Sequence, residues 1–294
     1  MAESRGANDG GLSVQYGLNL LLYTATFTKD DVGLISRVAE MGYDGVEIPF
    51  MDLGSLAPQA IRGAAKKAGV GLTSCCVLPP GASLCSEDES ERENGVEMMS
   101  RMVELTAEMG GDVMGGPLYS PVGEIKGRWR TEDEWKWCAE CLSEVAEKAE
   151  QAGITIAIEP LNRFETYFLN TVEDTLAMVD EVGSPALTVQ VDTFHSHIEE
   201  RDTGKAIRSA AGRLGHFHAS ENHRGTPGTG QVRWRDAFNA LKETDYNGWV
   251  TIESFAIGIS DLCAAASIWR PIYDTADGLA QDGLAFLKAM AKTA

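Results

Sequence analysis

Eight short apolar segments alternate with amphipathic helical patterns along the chain, and this alternation constrains the fold more than any other feature. The segments are VQYGLNLL (14–21), YDGVEIP (43–49), GLTSCCVL (71–78), DVMGGP (112–117), ITIAIEP (154–160), LTVQVD (187–192), LGHFHA (214–219) and WVTIES (249–254). Between them lie patterns such as TKDDVGLISRVAEMG and ENGVEMMSRMVELTAEMG. Several end in Gly just before the next strand, as helix C-caps do. Strand–helix alternation predicts a parallel sheet, and eight units are the number that closes a (β/α)8 TIM barrel. An open doubly wound sheet would want a Gly-rich phosphate turn after its first strand, and YGLNLLLYTATF holds no GxGxxG. The 294 residues suit a barrel, which typically needs ~250, and no Pro/Ser/Gly-rich run divides them. The expectation is an α/β protein, a single (β/α)8 barrel over residues 13–294 after a flexible tail over residues 1–12.

Charge narrows the partners. With 44 acids against 25 bases the formal net charge is −19, which repels phosphate backbones and anionic membranes. No nucleic acid and no membrane partner is expected. No apolar run approaches the ~18 residues of a span, and MAESRGANDGG lacks a hydrophobic signal core. The chain therefore reads as cytoplasmic. Six cysteines suit reduced thiols there. Cys138 and Cys141 form a CxxC inside a helical pattern with no second CxxC, which points to helix packing rather than zinc.

Strand side chains alternate faces with period two. In the fifth strand Ile154, Ile156 and Ile158 oppose Thr155, Ala157 and Glu159. In the sixth, Leu187, Val189 and Val191 oppose Thr188, Gln190 and Asp192. In the seventh Phe217 opposes His216 and His218, and in the eighth Val250 and Ile252 oppose Thr251 and Glu253. If the apolar faces pack under helices, Glu159, Asp192, His218 and Glu253 all point inward at strand C-termini, where barrel active sites lie. One acid at a strand end is usually a cap or a surface charge. Four on one face, at one end of neighbouring strands, are a site. Three converging carboxylates repel one another unless a cation joins them. Three oxygen donors and one imidazole favour Mn2+, with Co2+ or Mg2+ as alternatives, over zinc.

IEPLNRFET (158–166), VDTFHSHIEE (191–200), GHFHASENHRGTPGTG (215–230) and IESF (252–255) resemble the ketose 3-epimerases, among the xylose-isomerase-like barrels. LCSED (84–88) and SIWR (267–270) also resemble the family. The resemblance implies metal ligands at Glu159, Asp192, His218 and Glu253, the four found by register. It also implies substrate contacts at Glu165, His195 and Arg224, Mn2+ or Co2+ as the metal, and a homodimer or homotetramer. Many members carry aromatic residues on the first strand, where this chain has Asn19 inward after Gly17.

The implied activity is inversion of C3 of a free ketose of the D-fructose/D-psicose, D-tagatose or L-ribulose type. Its C–H beside a carbonyl is weakly acidic, so a metal would polarise the carbonyl and stabilise the enediolate. Glu159 and Glu253, three strands apart, suit a base and an acid on opposite faces. His195 would donate to the oxygen at C2, Arg224 would anchor a hydroxyl, and His216 would support the site from one layer below. His197 and His223 read as loop residues. The same carboxylates could instead drive β-elimination from a 3-keto sugar or C-glycoside, or serve another sugar or inosose isomerase or dehydratase. An abasic-site endonuclease would want more histidines and a basic face.

Overall fold

Period-two alternation with one face apolar dictates strands that bury that face under helices, and the strands obey it. The structure, a computed structural model, describes residues 11–294. Its strands are β1 (Gln15–Asn19), β2 (Gly45–Phe50), β3 (Gly71–Cys76), β4 (Val113–Gly116), β5 (Thr155–Ile158), β6 (Leu187–Asp192), β7 (Leu214–Ala219) and β8 (Trp249–Ile252). Each pairs in parallel with the next, and β1 pairs with β8, so the sheet closes into the expected eight-stranded barrel. Residues 1–10 of the expected tail lie outside the described residues. Glu159 and Glu253, expected as the last strand residues, stand one position beyond β5 and β8.

The helices are α1 (Gly33–Glu40), α2 (Pro58–Ala68), α3 (Glu89–Met109), α4 (Glu132–Ala152), α5 (Val172–Val182), α6 (Thr193–Glu199), α7 (Thr203–Ser209), α8 (Trp234–Glu243), α9 (Ser260–Ala265) and α10 (Ala276–Thr293). Local chemistry sets their ends. Thr131 and Glu134 form a reciprocal capping box at the start of α4. Gly69, Gly110, Gly153 and Gly183 end α2 to α5 in the left-handed conformation, with φ of 73, 84, 70 and 69°, which a side chain would disfavour. Cys138 is buried and Cys141 half-buried on α4, and all six cysteines are free, as helix packing requires. No helix among the described residues is long and apolar enough to cross a membrane.

Ile156, Ile158, Val189, Val191, Phe217, Val250 and Ile252 lie between sheet and helices, none more than 1% exposed. Each such side chain contributes ~1.5–3 kcal/mol through burial. The barrel interior is less ordinary. Its floor is the Trp249 ring packed on Val113 and Ala157. Gly45 and Gly71 make room for that ring, because a Cβ at either position would overlap it. Above the floor the interior is polar, with Glu47, Thr73, Gln190, His216 and Thr251 almost wholly buried. This layer supports the mouth from below.

Candidate active site

The structure brings the four expected ligands together. His218 Nδ1 lies 3.5 Å from Glu253 Oε1, 3.8 Å from Asp192 Oδ2 and 4.0 Å from Glu159 Oε1. All four residues are at most 6% exposed. Two donors on one ion, each at ~2.0–2.2 Å, stand between ~3 Å (cis) and ~4.4 Å (trans) apart, so each carboxylate lies within sharing distance of His218; Asp192, His218 and Glu253 form one close group, and Glu159 forms another with Asp192 and His195. Glu159 Oε1 gives the independent check. It is buried and has no hydrogen-bond partner, as an oxygen meant for an ion would be.

Each of these side chains is aimed by its surroundings. Asp192 ends β6 and caps α6: its Oδ1 accepts from Phe194 N at 2.6 Å and His195 N at 3.0 Å. Its Oδ2 accepts from Ser220 Oγ at 2.6 Å. Glu253 Oε2 accepts from Arg224 Nη1 at 2.8 Å. The Arg224 guanidinium stacks over Phe194, 3.8 Å from the ring centre, and faces Phe255 at 5.1 Å. Arg224 has φ of +61°, uncommon for a residue with a Cβ.

The expected substrate contacts line the same cavity. Glu159, Glu165, His195, Arg224 and Glu253 share a cleft of about 620 Å³. Asn162 N donates to His195 Nδ1 at 3.1 Å and Arg224 Nη2 lies 3.2 Å from His195 Nε2, so donors face both ring nitrogens; Asn162 Nδ2 donates to Glu165 Oε1 at 2.8 Å. Burial pushes the His195 imidazole down to about 3, with Arg224 and His218 adding to the effect against Asp192. The ring is neutral. Burial raises Glu165, with Arg224 opposing. The rest of the cleft lining is apolar, with Leu21, Phe50, Leu78, Met102 and Leu161 among it, apart from exposed Asp52.

The two candidate acid–base carboxylates differ. Burial pushes Glu159 well above the usual carboxylate range, and Asp192 and Glu253 push it further against the pull of His218 and Arg224. Burial also opposes ionisation of Glu253, but His218 and Arg224 outweigh it and hold that carboxyl below the usual range.

His197, expected in a loop, lies on α6, because the Asp192 cap starts a helix immediately after β6. Glu47 escaped the sequence reading. The alternation applied to the last four strands, extended to β2, turns Gly45, Glu47 and Pro49 inward, and that was the available signal.

These features define a sugar-isomerase type of barrel: a carboxylate-rich cluster that could hold a metal at the C-terminal mouth, with a neutral imidazole and a guanidinium beside it. Comparison with known proteins agrees. The family described as xylose isomerase-like TIM barrel matches residues 35–290. The chain is 34% identical to a probable ketose 3-epimerase of Synechocystis sp., over 95% of this chain and 98% of that protein. It is 34% identical to L-ribulose 3-epimerase of Mesorhizobium japonicum, over 95% and 94%. The crystal structure of a D-allulose 3-epimerase from Methylomonas sp. in complex with D-allulose matches with a TM-score of 0.90 at 28% identity, over 95% of this chain and 99% of that one. The chain belongs to the xylose isomerase-like TIM barrel family and, within it, to the ketose 3-epimerases, which are isomerases.

Proposed function

We propose that this enzyme inverts C3 of a free ketose, of the fructose/psicose, tagatose or ribulose type, using Glu159 and Glu253 as the acid–base pair. The observation that carries the reading is the convergence of these carboxylates on His218 Nδ1 from strands three apart. Glu159, Asp192, His218 and Glu253 would hold a divalent cation, Mn2+ by the donor set with Co2+ or Mg2+ as alternatives. That cation supplies Lewis-acid polarisation of the ketose carbonyl.

The protein groups do the rest. One carboxylate takes the C3 proton, and the other returns a proton to the opposite face. For the other epimer the two exchange roles. With Arg224 turned to the substrate and its own proton on Nε2, the neutral His195 would donate to the oxygen on which negative charge develops. Arg224 and Glu165 orient the hydroxyls nearest the reacting carbon. The reading extends to a homodimer or homotetramer in the cytoplasm, a compartment that the six unpaired cysteines support.

The test is a panel of free ketoses with Mn2+ in D2O, followed by NMR. Deuterium should enter at C3 as the epimer appears. Glu159→Gln and Glu253→Gln should each abolish the exchange while the far-UV circular dichroism stays as in the wild type. Turnover at the wild-type rate in either variant sinks the two-carboxylate mechanism. A second reading, β-elimination from a 3-keto sugar bearing a substituent, is favoured by the cleft volume alone, which exceeds what a ketohexose fills. An unsaturated product would identify it.

A further inference from the structure

Glu47 lies at the centre of β2, 0% exposed, and takes no part in the reaction proposed above. Both its oxygens are saturated. Oε1 accepts from Asn19 Nδ2 at 3.0 Å and His218 Nε2 at 2.8 Å. Oε2 accepts from Thr73 Oγ1 at 2.9 Å and His216 Nε2 at 2.6 Å. A carboxylate this deep persists only when charge and hydrogen bonds meet it, and a group needed merely to fill space would be better apolar. Of its four donors, His218 presents its other ring nitrogen to the site carboxylates, and Asn19 also reaches Glu253.

We propose that Glu47 is a positioning residue of the metal centre, fixing the tautomer and ring orientation of His218. A neutral imidazole has one donor and one acceptor nitrogen. With the proton held on Nε2 by Glu47, the Nδ1 lone pair, 3.2 Å from Gln190 Nε2, is left facing Glu159, Asp192 and Glu253. A carboxylate behind a ligating imidazole also raises the basicity of the ligating nitrogen. His216 holds Glu47 in turn. Its ring packs edge-on to that of His218, with centres 5.0 Å apart, so carboxylate and ligand cannot turn independently.

Asn19 adds a second tie. Its Oδ1 accepts from Leu21 N at 2.9 Å, which fixes the amide so that Nδ2 points into the barrel. There Nδ2 reaches Glu47 and lies 3.4 Å from Glu253 Oε1. Glu47, His216 and His218 also cluster closely enough to suggest an ion of their own. However, two donors sharing an ion at ~2 Å stand ~3 Å apart, and the 2.6 and 2.8 Å separations here are those of hydrogen bonds.

The inference rests on His218 being a metal ligand, and the experiment separates the two ideas. Metal-free wild type and Glu47→Gln are titrated with MnCl2, with free Mn2+ read by electron paramagnetic resonance. Glutamine keeps the shape and removes the charge. The Mn2+ Kd should rise ~10–100-fold, the usual effect of losing a group that supports a ligand. A merely structural Glu47 would lower the thermal midpoint of the metal-free protein and leave the Mn2+ Kd unchanged, and that result overturns the proposal. Wild type that binds no Mn2+ overturns the metal centre and the role of Glu47 together. If Glu47→Gln does not fold, 15N NMR of histidine-labelled wild type saturated with Mg2+ decides. A slowly exchanging proton on His218 Nε2 supports the proposal, and a proton on Nδ1 overturns it.

Discussion

Arg224→Met removes the guanidinium that counters the carboxylates of the site, and the structure sets the size of the effect. Arg224 is 5% exposed, and its Nη1 lies 2.8 Å from Glu253 Oε2 and 3.6 Å from Asp192 Oδ2. At an effective dielectric of ~20, opposite charges ~4 Å apart attract by ~4 kcal/mol. Mutational data agree: stripping one partner from a buried pair costs ~3–5 kcal/mol. Methionine refills the slot between Phe194 and Phe255, so the loss is chiefly electrostatic. In a chain of 294 residues each kcal/mol lowers the thermal midpoint by ~1.6 °C, giving a drop of ~5–8 °C in EDTA. The same change takes a positive charge away from the cation site. Mn2+ should then bind more tightly and restore much of the lost stability. Calorimetry in EDTA and in millimolar MnCl2 checks both signs. Equal midpoints in EDTA, or a drop of the same size with and without Mn2+, would refute the reasoning.

Two further changes test the barrel interior and the imidazole. A Cβ on Gly115 would overlap Gln190 Oε1. Gly115→Ala should therefore destabilise by ~1–3 kcal/mol through overpacking, measured by urea unfolding, and an unchanged midpoint would show that the amide simply moves aside. His195 is held down to about 3, whereas a free imidazole titrates near ~6.5. The unfolded chain then binds a proton that the folded chain does not between those values. Stability from this group is complete above pH ~6.5 and falls as pH drops towards 3. His195→Asn should flatten the dependence of unfolding free energy on pH between 6.5 and 4, and an unaltered slope would show that another group governs it.

The barrel and the cluster of its four candidate metal ligands were legible because both rest on period two. Alternation turned Glu159, Asp192, His218 and Glu253 to one face, and the strand ends put them at one mouth. Glu47 was not read, because it sits mid-strand, where an acid in an apolar run carries no positional flag. Only the three-dimensional closure of β2 opposite β7 sets it against His216 and His218. His195 and Arg224 came from motif resemblance rather than pattern. Their placement depends on a cap-started helix and on a loop residue with positive φ, and neither has a periodic signature. Strand ends erred by a residue or two, since the last ladder hydrogen bond, not the last alternating residue, closes a strand.

The uneven lining of the cleft limits how finely this enzyme can discriminate. Donors and acceptors crowd the end where the carboxylates meet, and most of the remaining wall is carbon. A pocket that hydrogen-bonds a hydroxyl can reject an analogue lacking it by ~10⁴–10⁵-fold, whereas an apolar wall rejects an added hydroxyl by only ~10². Configuration is therefore read strictly around the reacting carbon and loosely beyond it. Sugars that differ only at their far end should compete as near-equals, and which product accumulates is set as much by which ketose is supplied as by the protein.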